Sequence, residues 1–139
     1  MTDRVKTCTT AKTKVNHLCF PLVWTVSPQL LHLAPDWLRW YYDQSYLTGL
    51  DYFMLPPSGD LYSYPSKFPE TVLNDYIRNT EEDCVTMDIN ASVAWEVFGS
   101  WDHALKNYFP KYSPSGIVKG FFAVNVPYNA PIFAFGRNE

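Results

Sequence analysis

The sequence has few cysteines, little net charge and no long apolar run, and each absence excludes a class of protein. Three cysteines without metal-ligand spacing allow at most one disulfide. A net charge of -3 with no basic run makes nucleic acid and anionic membranes poor partners. No apolar stretch approaches the roughly 18 residues of a membrane-spanning helix. Residues 1–14 are polar, so we expect no signal peptide there.

Several catalytic motifs are also missing. No serine lies in a Gly-x-Ser-x-Gly turn, and no glycine-rich loop carries the lysine of a phosphate-binding motif. His17, His32 and His103 are far apart in the sequence, so we predict no metal site and no cofactor. What the chain does contain is 47% hydrophobic residues, which is typical of a globular domain and not of a disordered one.

Apolar segments of strand and helix character alternate along the chain. The pattern predicts strands over residues 18–26, 51–55, 84–89, 118–126 and 132–135, and helices over 35–48, 69–77 and 93–109. The polar run 79–83 is interpreted as a break between helix and strand. This alternation is typical of an α/β fold made of βαβ units with a parallel sheet.

The most distinctive segment, residues 56–65, follows the predicted strand 51–55 and precedes a predicted helix. We call it the signature loop. Gly59 permits a backbone conformation that other residues avoid, and three prolines restrict the chain around it. Tyr62 and Tyr64 add flat rings with polar tips. Loops of this kind at the carboxyl end of a strand are where α/β proteins place binding and chemistry.

The spacing of Gly59, Tyr62, Tyr64 and Pro65 resembles the signature of the GxGYxYP family of putative glycoside hydrolases. Leu61 departs from it, because the signature has its second glycine at that position. Further short matches occur in the same order along the chain: Trp24, Ser27-Pro28, Ala34-Pro35, Trp40-Tyr41-Tyr42 and Asp51-Tyr52-Phe53.

The resemblance implies a (β/α)-barrel-like domain that acts on or binds carbohydrate, but it brings no established catalytic residues. Residues 17–139 would form about the first half of such a barrel, after a flexible polar lead of residues 1–16. A half barrel leaves open sheet edges, which predicts self-association through them.

In a parallel sheet the loops after each strand meet at one edge, so we expect the ligand there. Aromatic faces, hydroxyls and amides suit sugars. The predicted substrate-binding residues are Trp24, Ser58, Gly59, Tyr62, Tyr64, Asn90 and Asn125. Glycoside hydrolysis uses two carboxylates, and the candidates at neighbouring strand ends are Asp88 and Asp60.

Each assignment has a structural alternative. Asp88 can cap a helix or bond to a loop amide, and Asn90 can cap the next helix. Tyr62 and Tyr64, which alternation would point to opposite sides, can wedge the loop against its neighbours. Trp24 can belong to the core, and helical spacing places Trp37, Trp40, Trp95 and Trp101 there.

Three functions therefore remain open. The chain is part of a glycoside hydrolase, a carbohydrate-binding remnant without a catalytic pair, or a fragment that keeps the fold alone. Leu61 bears on all three, because a side chain at a glycine position either reshapes the loop or fits with φ below zero.

Overall fold

The structure is a computed structural model and describes residues 20–96, 100–124 and, for the backbone, 132–133. Its strands are β1 (Leu22–Thr25), β2 (Asp51–Met54), β3 (Ala91–Trp95), β4 (Gly120–Val124) and β5 (Ile132–Phe133). Its α-helices are α1 (Leu30–Leu33), α2 (Pro35–Thr48), α3 (Glu70–Thr86) and α4 (Trp101–His103). A 3-10 turn covers Pro65–Lys67, and α4 continues as a π turn (Ala104–Tyr108) and a 3-10 turn (Phe109–Tyr112). The predicted lead, residues 1–16, lies outside the described residues.

Four parallel strands confirm the predicted α/β fold. β1 pairs with β2, and β3 pairs with β4. Leu55 connects the two pairs, because its amide donates to Ala91 and its carbonyl accepts from Val93, each at 2.9 Å. β5 differs from this pattern, since it runs antiparallel to β4 with Phe122 opposite Phe133.

The helices pack on one face of the sheet. Val26 and Leu55 from the strand ends share a core cluster with Leu73 and Ile77 of α3 and with Tyr108. On β1 and β2 the other face is exposed, because Val23 and Tyr52, which lie side by side there, are each 55% exposed. Helices on a single face of parallel strands are the arrangement of a (β/α)-barrel segment. Among the described helices, none is long and apolar enough to cross a bilayer.

α3 is longer than the sequence predicted, and β3 begins later. The predicted break at 79–83 and the predicted strand at 84–89 are wrong, because one helix runs from Glu70 to Thr86. Leu73, Ile77, Thr80 and Cys84 continue the buried stripe through the polar run, whose other residues face outward or are half-buried. The helix predicted to begin at residue 93 is also wrong there, since Ala91–Trp95 is β3.

α3 is terminated by Asp88, which lies two residues after Thr86 and adopts a left-handed φ of 51°. The amide of Ile89 donates to Cys84 at 2.9 Å, and the amide of Asp88 donates to Val85 at 3.3 Å. These two bonds form a Schellman motif, and the buried side chains of Ile89 and Cys84 supply its apolar contact. Asp88 therefore terminates a helix and does not follow a strand.

The two tryptophans of α2 are exposed, although their helical spacing predicts that they lie in the core. Trp37 is 69% exposed and Trp40 is 39% exposed, whereas α2 buries Leu38 and Thr48. Tyr42 provides the aromatic contact with the sheet, with its ring centroid 4.8 Å from that of Phe53. The predicted core position of Trp37 and Trp40 is thus wrong.

We predict that Asp88→Asn increases the free energy of unfolding by about 0.5 kcal/mol. Asparagine tolerates the left-handed conformation, and the change removes a negative charge from a helix C-terminus. Urea denaturation measures the effect, with Asp43→Asn on the exposed side of α2 as the control. A loss of stability in Asp88→Asn alone would contradict the assignment.

Candidate functional site

The signature loop lies at the carboxyl end of β2 and is fastened to the end of β3. The Ser58 hydroxyl accepts a hydrogen bond from the Trp95 amide at 3.1 Å. The same oxygen lies 3.2 Å from the Trp95 carbonyl and 3.1 Å from the Ser63 carbonyl. Ser58 is buried, so these bonds are shielded from water. The loop is therefore held against the neighbouring strand from its first residues.

Gly59 is required by two features of its position. Its φ is 127°, a region in which side chains are strained, and a Cβ there would lie 2.7 Å from Thr80 Oγ1 and 2.8 Å from Thr80 Cγ2. The absence of a side chain lets the backbone approach α3, and the Asp60 amide donates to Thr80 Oγ1 at 3.2 Å. This contact explains why the first position of the signature needs a glycine.

Buried tyrosines hold the signature loop by hydrogen bonds to its backbone. The Tyr76 hydroxyl donates to the Leu61 carbonyl at 2.8 Å and lies 3.1 Å from Ser63 Oγ. The Tyr108 hydroxyl lies 3.3 Å from the Ser58 carbonyl and 3.0 Å from the Tyr112 hydroxyl. Burial raises the pKa of Tyr76 to about 12, so its hydroxyl remains a donor at neutral pH.

Two signature tyrosines contact one indole. The ring centroid of Tyr62 lies 5.1 Å from that of Trp95, and that of Tyr64 lies 6.4 Å from it, both edge-to-face. Tyr62 is 65% exposed, whereas Tyr64 is half-buried. The prediction that the two rings point to opposite sides applies to an extended loop, whereas this loop bends over residues 61–63 and both rings reach the same indole. We call Tyr62, Tyr64 and Trp95 the aromatic platform.

Leu61 fits the loop without distortion. Its side chain is 51% exposed, and Asp88 is the non-glycine residue with positive φ among the described residues. The leucine therefore needs none of the conformational freedom that a glycine provides. It adds an apolar side chain beside the exposed ring of Tyr62.

Glu96 directly follows β3 and was missed by the sequence analysis. Its side chain is 1% exposed, and Oε2 accepts hydrogen bonds from the hydroxyls of Ser66 and, at 3.0 Å, Ser100. Oε1 has no hydrogen-bond partner among the described residues. The signal was a carboxylate after the run Val93-Ala94-Trp95, where the sequence pattern predicts the start of a helix.

Asp60, one of the predicted carboxylates, faces α1 and α3. Its Oδ1 accepts a hydrogen bond from Gln29 Nε2 at 3.1 Å. Its negative charge also acts on Asp83 of α3. Burial, and then the charges of Asp60 and Glu82 against the opposing effect of His32, raise the pKa of Asp83 to about 6.

Three other predicted site residues that the structure describes, Asp88, Asn90 and Trp24, are not brought to this edge. Asp88 and Asn90 precede β3, and because β2 and β3 run in parallel they lie at the edge opposite the signature loop. The Trp24 indole donates to Asp51 at 2.8 Å, on the face that packs against α2. Asn125 lies outside the described residues. The predicted site residues that remain together are those of the signature loop: Ser58, Gly59, Asp60, Tyr62 and Tyr64.

No three histidine, cysteine or carboxylate side chains in the described part of the chain are grouped to hold a metal ion. The candidate site consists of the aromatic platform, the serine hydroxyls of the signature loop and two carboxyl groups, those of Asp60 and the buried Glu96.

The chain is similar to known proteins over most of its length. Residues 9–130 match the family described as GxGYxYP putative glycoside hydrolase C-terminal domain, which confirms the resemblance. A crystal structure of a putative hydrolase from Bacteroides thetaiotaomicron VPI-5482 matches this chain with 31% identity and a TM-score of 0.67. That match covers 83% of this chain but 22% of the solved chain. No curated protein matches.

We predict that Gly59→Ala lowers the free energy of unfolding by about 3 kcal/mol, because strain and the clash with Thr80 add. The matched control is Gly49→Ala, which has a φ of 62° but nothing within 4 Å of the new Cβ. Strain alone should cost about 1 kcal/mol there. Chemical denaturation of both variants measures the difference, and equal losses would contradict the contact.

We predict that stability falls as pH rises from about 4 to about 6. The pKa of Asp83 is raised on folding, so the folded state binds more protons than the unfolded state in this window. Because Asp83 is half-buried, we discount the effect to about 1 kcal/mol.

Asp83→Asn should flatten this dependence and stabilise the chain at pH 7, whereas Asp43→Asn on the exposed side of α2 should leave the slope unchanged, because Asp43 does not act on Asp83. Urea midpoints at several pH values test both variants. An unchanged slope in Asp83→Asn would sink the explanation.

Proposed function

Because the chain belongs to the GxGYxYP putative glycoside hydrolase C-terminal domain family, we propose that it binds carbohydrate at the aromatic platform. The observation that carries the proposal is the pair of signature tyrosines set edge-on against Trp95 at the carboxyl end of β3. This edge of a parallel sheet is where α/β folds bind ligands.

The chemistry of the platform suits a sugar ring. The C–H face of a pyranose packs against an aromatic face, and its hydroxyls need short polar groups around it. Tyr62 offers an exposed ring with a hydroxyl, and the exposed side chain of Leu61 enlarges the apolar surface. A ring already fixed by its neighbours loses little conformational entropy when a ligand binds.

Binding is better supported than hydrolysis for this chain. Hydrolysis uses two carboxyl groups about 5 to 9 Å apart across the scissile bond. Asp60 is bonded to Gln29 and Glu96 is buried, so these two carboxyl groups of the signature loop and β3 end do not form an open pair. Since the chain spans 22% of the solved putative hydrolase, catalysis by a longer protein is a separate proposal. Asp88 and Asn90 are not included in this site.

We predict that Tyr62→Ala raises the Kd for a bound oligosaccharide about tenfold, which equals about 1.4 kcal/mol. Isothermal titration calorimetry with cellohexaose, xylohexaose, mannohexaose and maltohexaose measures it. Tyr46→Ala is the matched control, because Tyr46 is 89% exposed on α2 and distant in sequence from the loop.

Binding of one hexaose that weakens in Tyr62→Ala alone supports the platform. An equal effect of both variants would place the sugar elsewhere. Failure of the wild-type chain to bind any of the four hexaoses would favour the third function, a fragment that keeps the fold alone.

A further inference from the structure

Two consecutive residues at the end of β3 hold the two ends of the signature loop. Trp95 holds the beginning, because its backbone bonds to the Ser58 hydroxyl. Glu96 holds the end, because its carboxylate accepts the hydroxyl of Ser66, the residue after Pro65. The loop between these anchors contains both tyrosines of the platform.

The carboxylate of Glu96 is an unusual choice for a structural anchor. It is 1% exposed, and burying a charge costs free energy unless its oxygens are fully bonded. Oε2 has two hydroxyl donors, whereas Oε1 has none among the described residues. The burial of this carboxylate with one oxygen unbonded to any described residue argues against a role in stability alone.

We infer that Glu96 is a positioning residue that sets the aromatic platform through Ser66. This inference rests on the proposed carbohydrate binding. Pro65 fixes its own φ, so the position of Ser66 constrains the backbone of Tyr64 directly. Ser66 is 8% exposed, so its hydroxyl cannot readily replace its hydrogen bond to Glu96 with one to water. Tyr64 and Trp95 then meet at a defined distance, and Tyr62 takes its place against the same indole.

The two serines on Glu96 provide a matched pair of variants. Ser66→Ala and Ser100→Ala each remove one hydroxyl donor from the same oxygen, but Ser66 joins the loop and Ser100 precedes α4. Hydrogen–deuterium exchange of the loop amides measures the result without any ligand. The amides of Lys67 and Phe68 are reporters, since they donate to the Tyr64 and Pro65 carbonyls, each at 3.0 Å, at the end of the loop that Glu96 holds.

We predict that Ser66→Ala speeds exchange of these two amides about tenfold, and that Ser100→Ala changes it less than twofold. Equal exchange in the two variants, or no change in Ser66→Ala, would overturn the inference. This result is independent of whether any sugar binds, so it separates failure of the inference from failure of the proposed function.

Glu96 itself is tested by replacing its carboxylate in two ways. Glu96→Gln keeps a carbonyl oxygen that can accept from both serines, whereas Glu96→Ala keeps no acceptor. We predict that Glu96→Gln stays within threefold of the wild type in both loop exchange and Kd for the bound hexaose. Glu96→Ala should raise both about tenfold. If Glu96→Gln loses affinity as fully as Glu96→Ala, the charge itself acts on the ligand and positioning is the wrong role.

Discussion

The contact between Gly59 and Thr80 is the constraint on which the site depends. The loop backbone lies so close to α3 that a single methyl group would overlap the threonine side chain. This approach lets the Asp60 amide bond to Thr80 and brings the Leu61 carbonyl to the Tyr76 hydroxyl. Without it the loop would stand away from α3, and its tyrosines would lose their fixed relation to β3.

The signature of the family can be understood from these contacts. Gly59 permits the approach to α3, Tyr62 and Tyr64 contact Trp95, and buried Pro65 leads into the turn that Glu96 holds. The position occupied by Leu61 is different in kind, because it faces solvent. A change there alters the surface offered to a ligand and leaves the scaffold intact.

Much of the fold was predictable because its signals are local. β2 and the signature loop were predicted within a residue, since an aromatic strand ends at two prolines there. α2 was predicted from Pro35 to Thr48, which are its observed ends. These elements have their own start and stop residues, so neighbouring packing did not override them.

The rest depended on packing that periodicity does not show. The polar run 79–83 resembles a loop, but the buried stripe of α3 passes through it to Cys84. Because of that error the third strand is predicted at 84–89 and not at Ala91–Trp95. Residues that precede the real strand were therefore predicted to follow it, at the opposite edge of the sheet. The sequence pattern places Asp88 and Asn90 at the edge that binds ligand and Glu96 in a helix, whereas the first two precede β3 and Glu96 follows it. The sequence places Trp37 in the core because helical spacing shows which residues share a face of the helix. It does not show which face packs against the rest of the protein, and Trp37 is exposed.

The nuclear Overhauser effect between the Hα protons of Gly59 and the methyl group of Thr80 tests the account most directly. The observed packing places a Cβ at Gly59 2.8 Å from Thr80 Cγ2, so the account predicts a strong cross-peak in the ligand-free chain. A folded chain without that cross-peak would show that the loop does not lie against α3, and it would contradict the basis of the site.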